Sequence, residues 1–195
     1  MYLIKESEKA ATLYRTMCDE HKYSESCHKY ADFLRITKLN FNVDKEIESF
    51  KYYRKGCEFG QAKSCFYTFF SLFDGKVKRQ VLNEGNPDLL ALKMLERGCD
   101  LGSSESCYVA GGAHLVGIPG VLDKNVSTTY KYDVKACQLG NKLACDTLSG
   151  ALPIENPTSD PKSHPVQIRL VQLAVTKMRE EENLKSTLPL QTLKL

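Results

Sequence analysis

Residues 95–117, LERGCDLGSSESCYVAGGAHLVG, contain the pattern on which the fold depends. Cys99 lies near the end of one helical segment and Cys107 near the beginning of the next, with seven residues between them. The other six cysteines form three similar pairs: Cys18 with Cys27, Cys57 with Cys65, and Cys137 with Cys145. The first cysteines of successive pairs are 39, 42 and 38 residues apart. A period of this length indicates a repeat protein built from helix pairs.

The four repeats place similar residues at similar distances from their cysteines. A small residue precedes the first cysteine in three repeats, where close helix packing leaves little room: Gly56, Gly98 and Ala136. A glycine follows that cysteine by three residues in the same repeats: Gly60, Gly102 and Gly140. Glycine suits the left-handed residue that ends a helix, because it has no Cβ to clash. The first repeat has His21 at this position and one extra residue in its turn.

Each repeat therefore predicts a helix, a tight turn and a second, antiparallel helix. Residues 74–88 are predicted to form a long exposed loop, because Gly75, Gly85 and Pro87 interrupt them. The expected fold is all-α, an α/α solenoid of helix hairpins. The predicted helices lie near residues 4–18, 23–36, 44–58, 62–73, 87–101, 104–116, 126–139 and 142–150.

The even number and regular spacing of the cysteines favour disulfides. Free buried thiols and bound zinc are the alternatives, although zinc ligands usually lie two to four residues apart and no CxxC occurs here. In an antiparallel hairpin the two cysteines of a repeat approach the roughly 5.5 Å Cα separation that a disulfide needs. The predicted bridges, which fit an oxidising compartment, are Cys18–Cys27, Cys57–Cys65, Cys99–Cys107 and Cys137–Cys145.

The domain organisation follows from a change of composition after Gly150. The helical array is predicted to cover residues 1–150, and the four prolines of residues 151–165 predict a linker. Residues 166–184 form an amphipathic segment that is expected to cap the last apolar face of the array, with a dedicated binding peptide as the alternative. Residues 185–195 are expected to be a flexible tail.

Composition excludes several functional classes. The net charge is +3, and the lysines and arginines are dispersed among acidic residues, so nucleic acid is not an expected partner. The longest apolar run, residues 65–73, is nine residues long and falls short of the roughly 20 that span a membrane. The amino terminus has no apolar signal-peptide core and carries acidic residues early.

Three stretches carry a resemblance to a known family: CDEHKYSESCHKYADFL (18–34), GNPDLLALKMLERGCDLGSSESC (85–107) and YKYDVKACQLGNKLAC (130–145). They resemble Sel-1-like repeats, which are relatives of tetratricopeptide repeats, and in particular the cysteine-rich subset that includes mitochondrial assembly factors. The resemblance covers roughly residues 5–150. The family carries a further cysteine-bearing segment before the point where this chain begins, and residues 151–165 replace its short repeat turn.

The resemblance implies a monomeric, non-enzymatic scaffold of the mitochondrial intermembrane space that supports assembly of cytochrome c oxidase, respiratory complex IV. Its implied partners are complex IV subunits or assembly factors and the oxidation relay of that compartment. It implies neither a cofactor nor a metal. A repeat array of this kind builds an extended surface for binding proteins.

Other functions remain as alternatives. A thiol-redox or haem-handling protein would need a reactive thiolate or axial ligands. His114 is the weak candidate for a haem ligand, since no CxxCH motif occurs and the other histidines, His21, His28 and His164, are scattered. An extracytoplasmic or a cytosolic repeat adaptor is a further alternative. Hydrolysis would rest on Ser159 and Lys162 alone, an S-x-x-K spacing that chance explains better.

Overall fold

The computed structural model describes residues 2–36, 44–72 and 75–149. All of them belong to one compact unit, Met1–Pro153. The predicted linker (151–165), capping helix (166–184) and tail (185–195), together with Ser159, Lys162 and His164, lie outside the described residues, so they remain predictions.

The described residues form α-helices joined by turns and short loops. Eight of the nine helices coincide with predicted ones to within three residues at each end. The helices are α1 (Tyr2–His21), α2 (Ser24–Ile36), α3 (Lys45–Glu58), α4 (Ala62–Ser71), α5 (Gly75–Glu84), α6 (Pro87–Asp100), α7 (Ser104–Val116), α8 (Val126–Gln138) and α9 (Lys142–Leu148).

Helix α5 corrects the prediction of an exposed loop over residues 74–88. Val77 and Val81 are one helical turn apart and are 1% and 3% exposed. They pack with Phe50 of α3 and with Leu72, which follows α4. Burial of this apolar pair stabilises a helix between two glycines that would otherwise indicate a loop. The i, i+4 spacing of the two valines was the signal that the sequence offered.

The helices pack as four antiparallel hairpins: α1–α2, α3–α4, α6–α7 and α8–α9. The second helix of each hairpin also packs on the first helix of the next, so α2 contacts α3, α4 contacts α6, and α7 contacts α8. Helix α5 is inserted between the second and third hairpins and contacts α3 and α6. The predicted all-α solenoid of helix hairpins is therefore confirmed.

The turns within the hairpins depend on one left-handed residue each. The φ angles of Gly60, Gly102 and Gly140 are +99°, +93° and +92°. In the second hairpin the N–H of Gly60 donates to the carbonyl of Cys57, and the next N–H donates to the carbonyl of Gly56, which is the Schellman pattern. In the first hairpin the left-handed residue is Lys22, at +53°, so the extra residue takes this role and His21 remains helical.

The small residues before the first cysteines allow neighbouring helices to approach closely. A Cβ placed on Gly98 would collide with the side chain of Ser106 and would lie 3.0 Å from the Cβ of Cys65 in the preceding hairpin. A Cβ placed on Gly56 would lie 2.5 Å from the Oγ of Ser64. Both glycines therefore allow the two helices of their hairpin to pack closely, and Gly98 also allows close packing against the preceding hairpin.

Candidate functional site

The structure joins all eight cysteines in four disulfides, each connecting the end of one helix to the start of the next. The pairs are Cys18–Cys27, Cys57–Cys65, Cys99–Cys107 and Cys137–Cys145, with Cα–Cα distances of 4.8, 4.5, 4.5 and 4.7 Å. No cysteine is left free. The sequence allowed disulfides, free buried thiols or bound zinc, and the structure contains disulfides.

The first three disulfides lie in the interfaces between successive hairpins. Cys18 and Cys27 pack with Tyr52 and Tyr53 of α3, and both cysteines are 0% exposed. Cys57, Cys65, Cys99 and Cys107 are also 0% exposed. Only the fourth pair, Cys137 and Cys145, is partly exposed. The first three bridges are thus covered by the first helix of the following hairpin, as the contact of Gly98 with Cys65 illustrates.

A ladder of three basic residues, one in each hairpin after the first, connects the first helix of that hairpin to the first helix of the preceding one. We define the ladder residues as those two positions before the first cysteine: Lys55, Arg97 and Lys135. Lys55 Nζ lies 2.7 Å from Asp19 Oδ1, and Lys135 Nζ lies 2.9 Å from Asp100 Oδ1. Arg97 donates to the carbonyls of Cys57 and Glu58, at 3.0 and 2.9 Å.

The ladder also sets local electrostatics. Burial alone would raise the pKa of Asp19, but hydrogen bonds from Lys55 and Tyr52 lower it below its ordinary value. The Tyr52 hydroxyl donates to Asp19 Oδ2 at 2.8 Å. Sequence analysis missed the ladder, although the basic residues recur two positions before the first cysteine and Asp19 and Asp100 directly follow one.

A buried polar cluster connects the first two hairpins. His28 Nδ1 lies 2.9 Å from Ser64 Oγ, and His28 Nε2 lies 3.6 Å from Asp32 Oδ2. The Tyr53 hydroxyl donates to Asp32 Oδ1 at 2.6 Å and accepts from Arg35 Nε at 3.1 Å. Burial lowers the pKa of His28 despite the nearby Asp32 carboxylate, and it raises the pKa of Tyr53. The neutral histidine therefore links the first two hairpins through its hydrogen bond to Ser64, and Tyr53 links them through its hydrogen bond to Asp32.

The order serine, histidine, aspartate in this cluster is similar to that of a hydrolase triad, but the surroundings differ. A catalytic serine must reach its substrate. Ser64 is 0% exposed and His28 is 6% exposed, and the His28 ring packs against the rings of Tyr53 and Tyr67. The cluster is consequently a packing element between hairpins.

His114, the weak candidate for a haem ligand, lies between the third and fourth hairpins. It is 8% exposed, and its ring stacks on Tyr132 with centroids 5.3 Å apart. Nε2 lies 3.5 Å from Glu96 Oε1, but neither ring nitrogen has a hydrogen-bond partner among the described residues. His114 thus occupies the position of a packed histidine, which the sequence also allowed.

Asp133 is a buried carboxyl in the same interface. It is 7% exposed and takes the position, four residues before the first cysteine, that Tyr53 and Leu95 occupy in the preceding hairpins. The space comes from Gly111 of α7, because a Cβ there would lie 2.7 Å from Asp133 Oδ1. Burial raises the pKa of Asp133 to about 6. Sequence analysis did not single out this residue.

In the part of the chain that the structure describes, no group of three or more histidine, cysteine, aspartate or glutamate side chains is arranged to hold a metal ion. None of the helices within residues 2–36, 44–72 and 75–149 has the length and apolar character needed to cross a membrane.

Comparison with curated proteins returns two similar relatives. One is the cytochrome c oxidase assembly factor 7 homolog of Drosophila melanogaster, 29% identical over 177 residues. The other is cytochrome c oxidase assembly factor 7 of Xenopus tropicalis, 30% identical over 149 residues. Each match covers 74% of this chain, which spans 65% and 62% of the lengths of these relatives. No protein-family model matches the chain.

Comparison with solved structures returns cysteine-rich protein B of Helicobacter pylori. The TM-score is 0.51 at 24% sequence identity, and the match covers 73% of this chain and 95% of that protein. The chain has the fold of a Sel-1-like repeat solenoid. The resemblance indicated by the three cysteine-bearing stretches, to cysteine-rich Sel-1-like proteins that include assembly factors of cytochrome c oxidase, is confirmed by these matches.

Proposed function

We propose that this chain is a non-enzymatic scaffold that binds other proteins during assembly of cytochrome c oxidase. The observation that carries the proposal is the pair of relatives, both named as assembly factor 7 of that enzyme, whose similarity extends over 74% of the chain. The solenoid fold supports it, because stacked helix hairpins present an extended surface of the kind that binds proteins.

We further propose the mitochondrial intermembrane space as the location. Four disulfides in the described residues support an oxidising compartment, since bridges of this type do not persist in a reducing cytosol. The partners would be subunits or assembly factors of complex IV, and the oxidation relay of that space would form the bridges. A monomeric state is part of the same proposal.

The test is a rescue experiment in Drosophila cells depleted of their own assembly factor 7. We expect expression of this chain to restore assembled complex IV on native gels and to raise cytochrome c oxidase activity. A matched control carries Cys57→Ala and Cys65→Ala, which removes one buried bridge. Protease protection of mitochondria and mitoplasts locates the protein at the same time.

Failure of the intact chain to restore complex IV, while it accumulates in the intermembrane space, would contradict the assembly role. Accumulation in the cytosol with reduced thiols would contradict the location and favour a cytosolic adaptor. Covalent cross-linking in the rescued mitochondria, followed by mass spectrometry, identifies the partners.

A further inference from the structure

The interface between α7 and α8, which joins the third hairpin to the fourth, has a less apolar core than the interface between α2 and α3. Besides the two bridged cysteines, the buried cluster of the α2–α3 interface comprises Ala31, Leu34, Tyr52 and Tyr53. The buried cluster of the α7–α8 interface comprises only two alanines, Ala136 and Ala144, besides Cys99 and Cys107. Burial of apolar area drives the packing of hairpins, so the α7–α8 interface has the weaker driving force.

At three repeat positions this interface has polar residues or glycine where the preceding hairpins have apolar ones. The positions are the fourth and seventh residues after the second cysteine and the fourth residue before the first. In α7 and α8 they are occupied by Gly111, His114 and Asp133. The preceding hairpins have, in the same order, Ala31 and Phe69, Leu34 and Leu72, and Tyr53 and Leu95, all of them buried.

The two polar residues are buried here without compensating hydrogen bonds. His114 and Asp133 are 8% and 7% exposed. Neither ring nitrogen of His114 has a hydrogen-bond partner among the described residues, and none of these residues donates a hydrogen bond to Asp133. A polar group that leaves water without a partner costs free energy, and a charged one costs more. The packed state of this interface therefore contains a cost that the opened state does not.

The groups around Asp133 do not offset its charge. Apart from the bridged cysteines, the titratable residues of the helices in contact with it are Glu105, Tyr108 and His114 of α7, Lys142 and Asp146 of α9, and Tyr130, Lys131, Tyr132 and Lys135 of α8 itself. Burial and the Asp133 carboxylate raise the pKa of Tyr108, which is neutral as a result. Lys135 is paired with Asp100 of α6. Burial is the cause of the raised pKa of Asp133, and no cation among the described residues lowers it.

We propose that the fourth hairpin, α8–α9, opens from the array as a separate unit at the α7–α8 interface, and that deprotonation of Asp133 favours the opened state. Regions of a protein with weak packing open in this way without global unfolding. Opening removes Ala136 from the Cys99–Cys107 bridge, which is 0% exposed in the packed state. The pH thus controls access to the third disulfide, a regulation that goes beyond the proposed scaffold function.

Hydrogen exchange followed by mass spectrometry tests the proposal on the purified, oxidised protein. Helices α8 and α9 have 13 and 7 residues and are too short to persist alone in water, so their amides exchange when the hairpin opens. After correction for the intrinsic exchange rate, protection of α8 and α9 should fall about three- to tenfold between pH 5 and pH 7.5. Protection of α2 and α3 should not fall, because the lowered pKa of His28 favours the folded state as the pH rises.

Two variants separate this mechanism from simple fraying at the end of an array. Asp133→Asn, which keeps the shape of the side chain, should abolish the pH dependence of α8 and α9. The variant H114L/D133L restores apolar residues at both positions and should raise their protection at pH 7.5 at least about tenfold. On limited reduction, Cys99 and Cys107 should be labelled ahead of Cys57 and Cys65 in the wild type, but not in H114L/D133L.

Three results would overturn the proposal: equal pH trends for α8–α9 and α2–α3, a pH dependence that survives in Asp133→Asn, or unchanged protection in H114L/D133L. Because only the purified protein is used, the result is independent of the rescue of complex IV.

Discussion

Ser64 and Ser106 occupy the same position in two hairpins, directly before the second cysteine, and both are 0% exposed. Ser64 is hydrogen-bonded to His28, whereas Ser106 Oγ has no partner among the described residues. The difference has a simple origin, because the residue after the preceding hairpin's second cysteine is His28 in one case and Phe66 in the other. One interface is therefore polar and satisfied, and the next contains an unpaired hydroxyl.

This contrast predicts opposite outcomes for the same substitution. Ser64→Ala should cost about 1–3 kcal/mol of unfolding free energy, because it leaves a buried imidazole nitrogen without a partner. Ser106→Ala should cost nothing or stabilise slightly, because it removes a hydroxyl that is buried without a bond. Urea denaturation of the two oxidised variants measures both values. Equal losses would show that the His28 contact contributes nothing.

Asp133 makes stability depend on pH. Its folded-state pKa of about 6 exceeds the ordinary value of 3.8, so the folded protein holds the proton more tightly than the unfolded chain. This contribution is complete below pH 3.8 and is lost as the pH rises through about 6. Asp133→Asn should therefore raise the unfolding free energy at pH 7.5 by about 1–2 kcal/mol, allowing for solvent screening.

At pH 4 the Asp133→Asn variant and the wild type should have nearly equal unfolding free energies. His28 acts in the opposite direction in both proteins, because its lowered pKa destabilises the fold as the pH falls below 6.5. The difference between the two denaturation curves removes that shared effect. A difference that does not change between pH 4 and 7.5 would contradict the assignment to Asp133.

At the scale of elements, α5 shows that an inserted helix can complete an interface. Val81 is 3% exposed, whereas the adjacent Leu82 is 56% exposed. Val81→Ala should cost about 1–3 kcal/mol through lost burial and a residual cavity, and Leu82→Ala should change stability by less than about 0.5 kcal/mol. Urea denaturation of the two single variants compares them directly. The reverse order would mean that residues 75–84 do not pack as this helix.

The sequence predicts those parts of the fold that are marked by residues recurring in every repeat. The cysteines and the glycines three positions later mark where helices end, so eight helices and the hairpin arrangement followed from them. Helix α5 contains no cysteine. Its two valines indicate a helix only once it is known that they pack against Phe50 and Leu72. The sequence analysis missed the ladder and Asp133 for the same reason. Their contacts join residues some 20 to 40 positions apart in the chain, such as Lys55 with Asp19 and Asp133 with Gly111.

At the scale of the whole molecule, the four bridges differ in accessibility rather than in loop size. Each closes a loop of similar length and contributes about 2.5 kcal/mol by the chain-entropy estimate. Only Cys137 and Cys145 are partly exposed. Limited reduction, followed by alkylation and mass spectrometry, should label these two cysteines first, because exchange requires access to sulfur. Labelling of Cys57 and Cys65 at the same rate would contradict this order.

The burial of the first three disulfides also has a consequence for how the molecule comes into existence. Once the next hairpin covers a cysteine pair, no oxidant can approach its sulfur atoms. Each of these bonds must therefore form while the following hairpin is still undocked. Folding of the array is therefore ordered: the disulfide of one hairpin forms before the next hairpin packs against it.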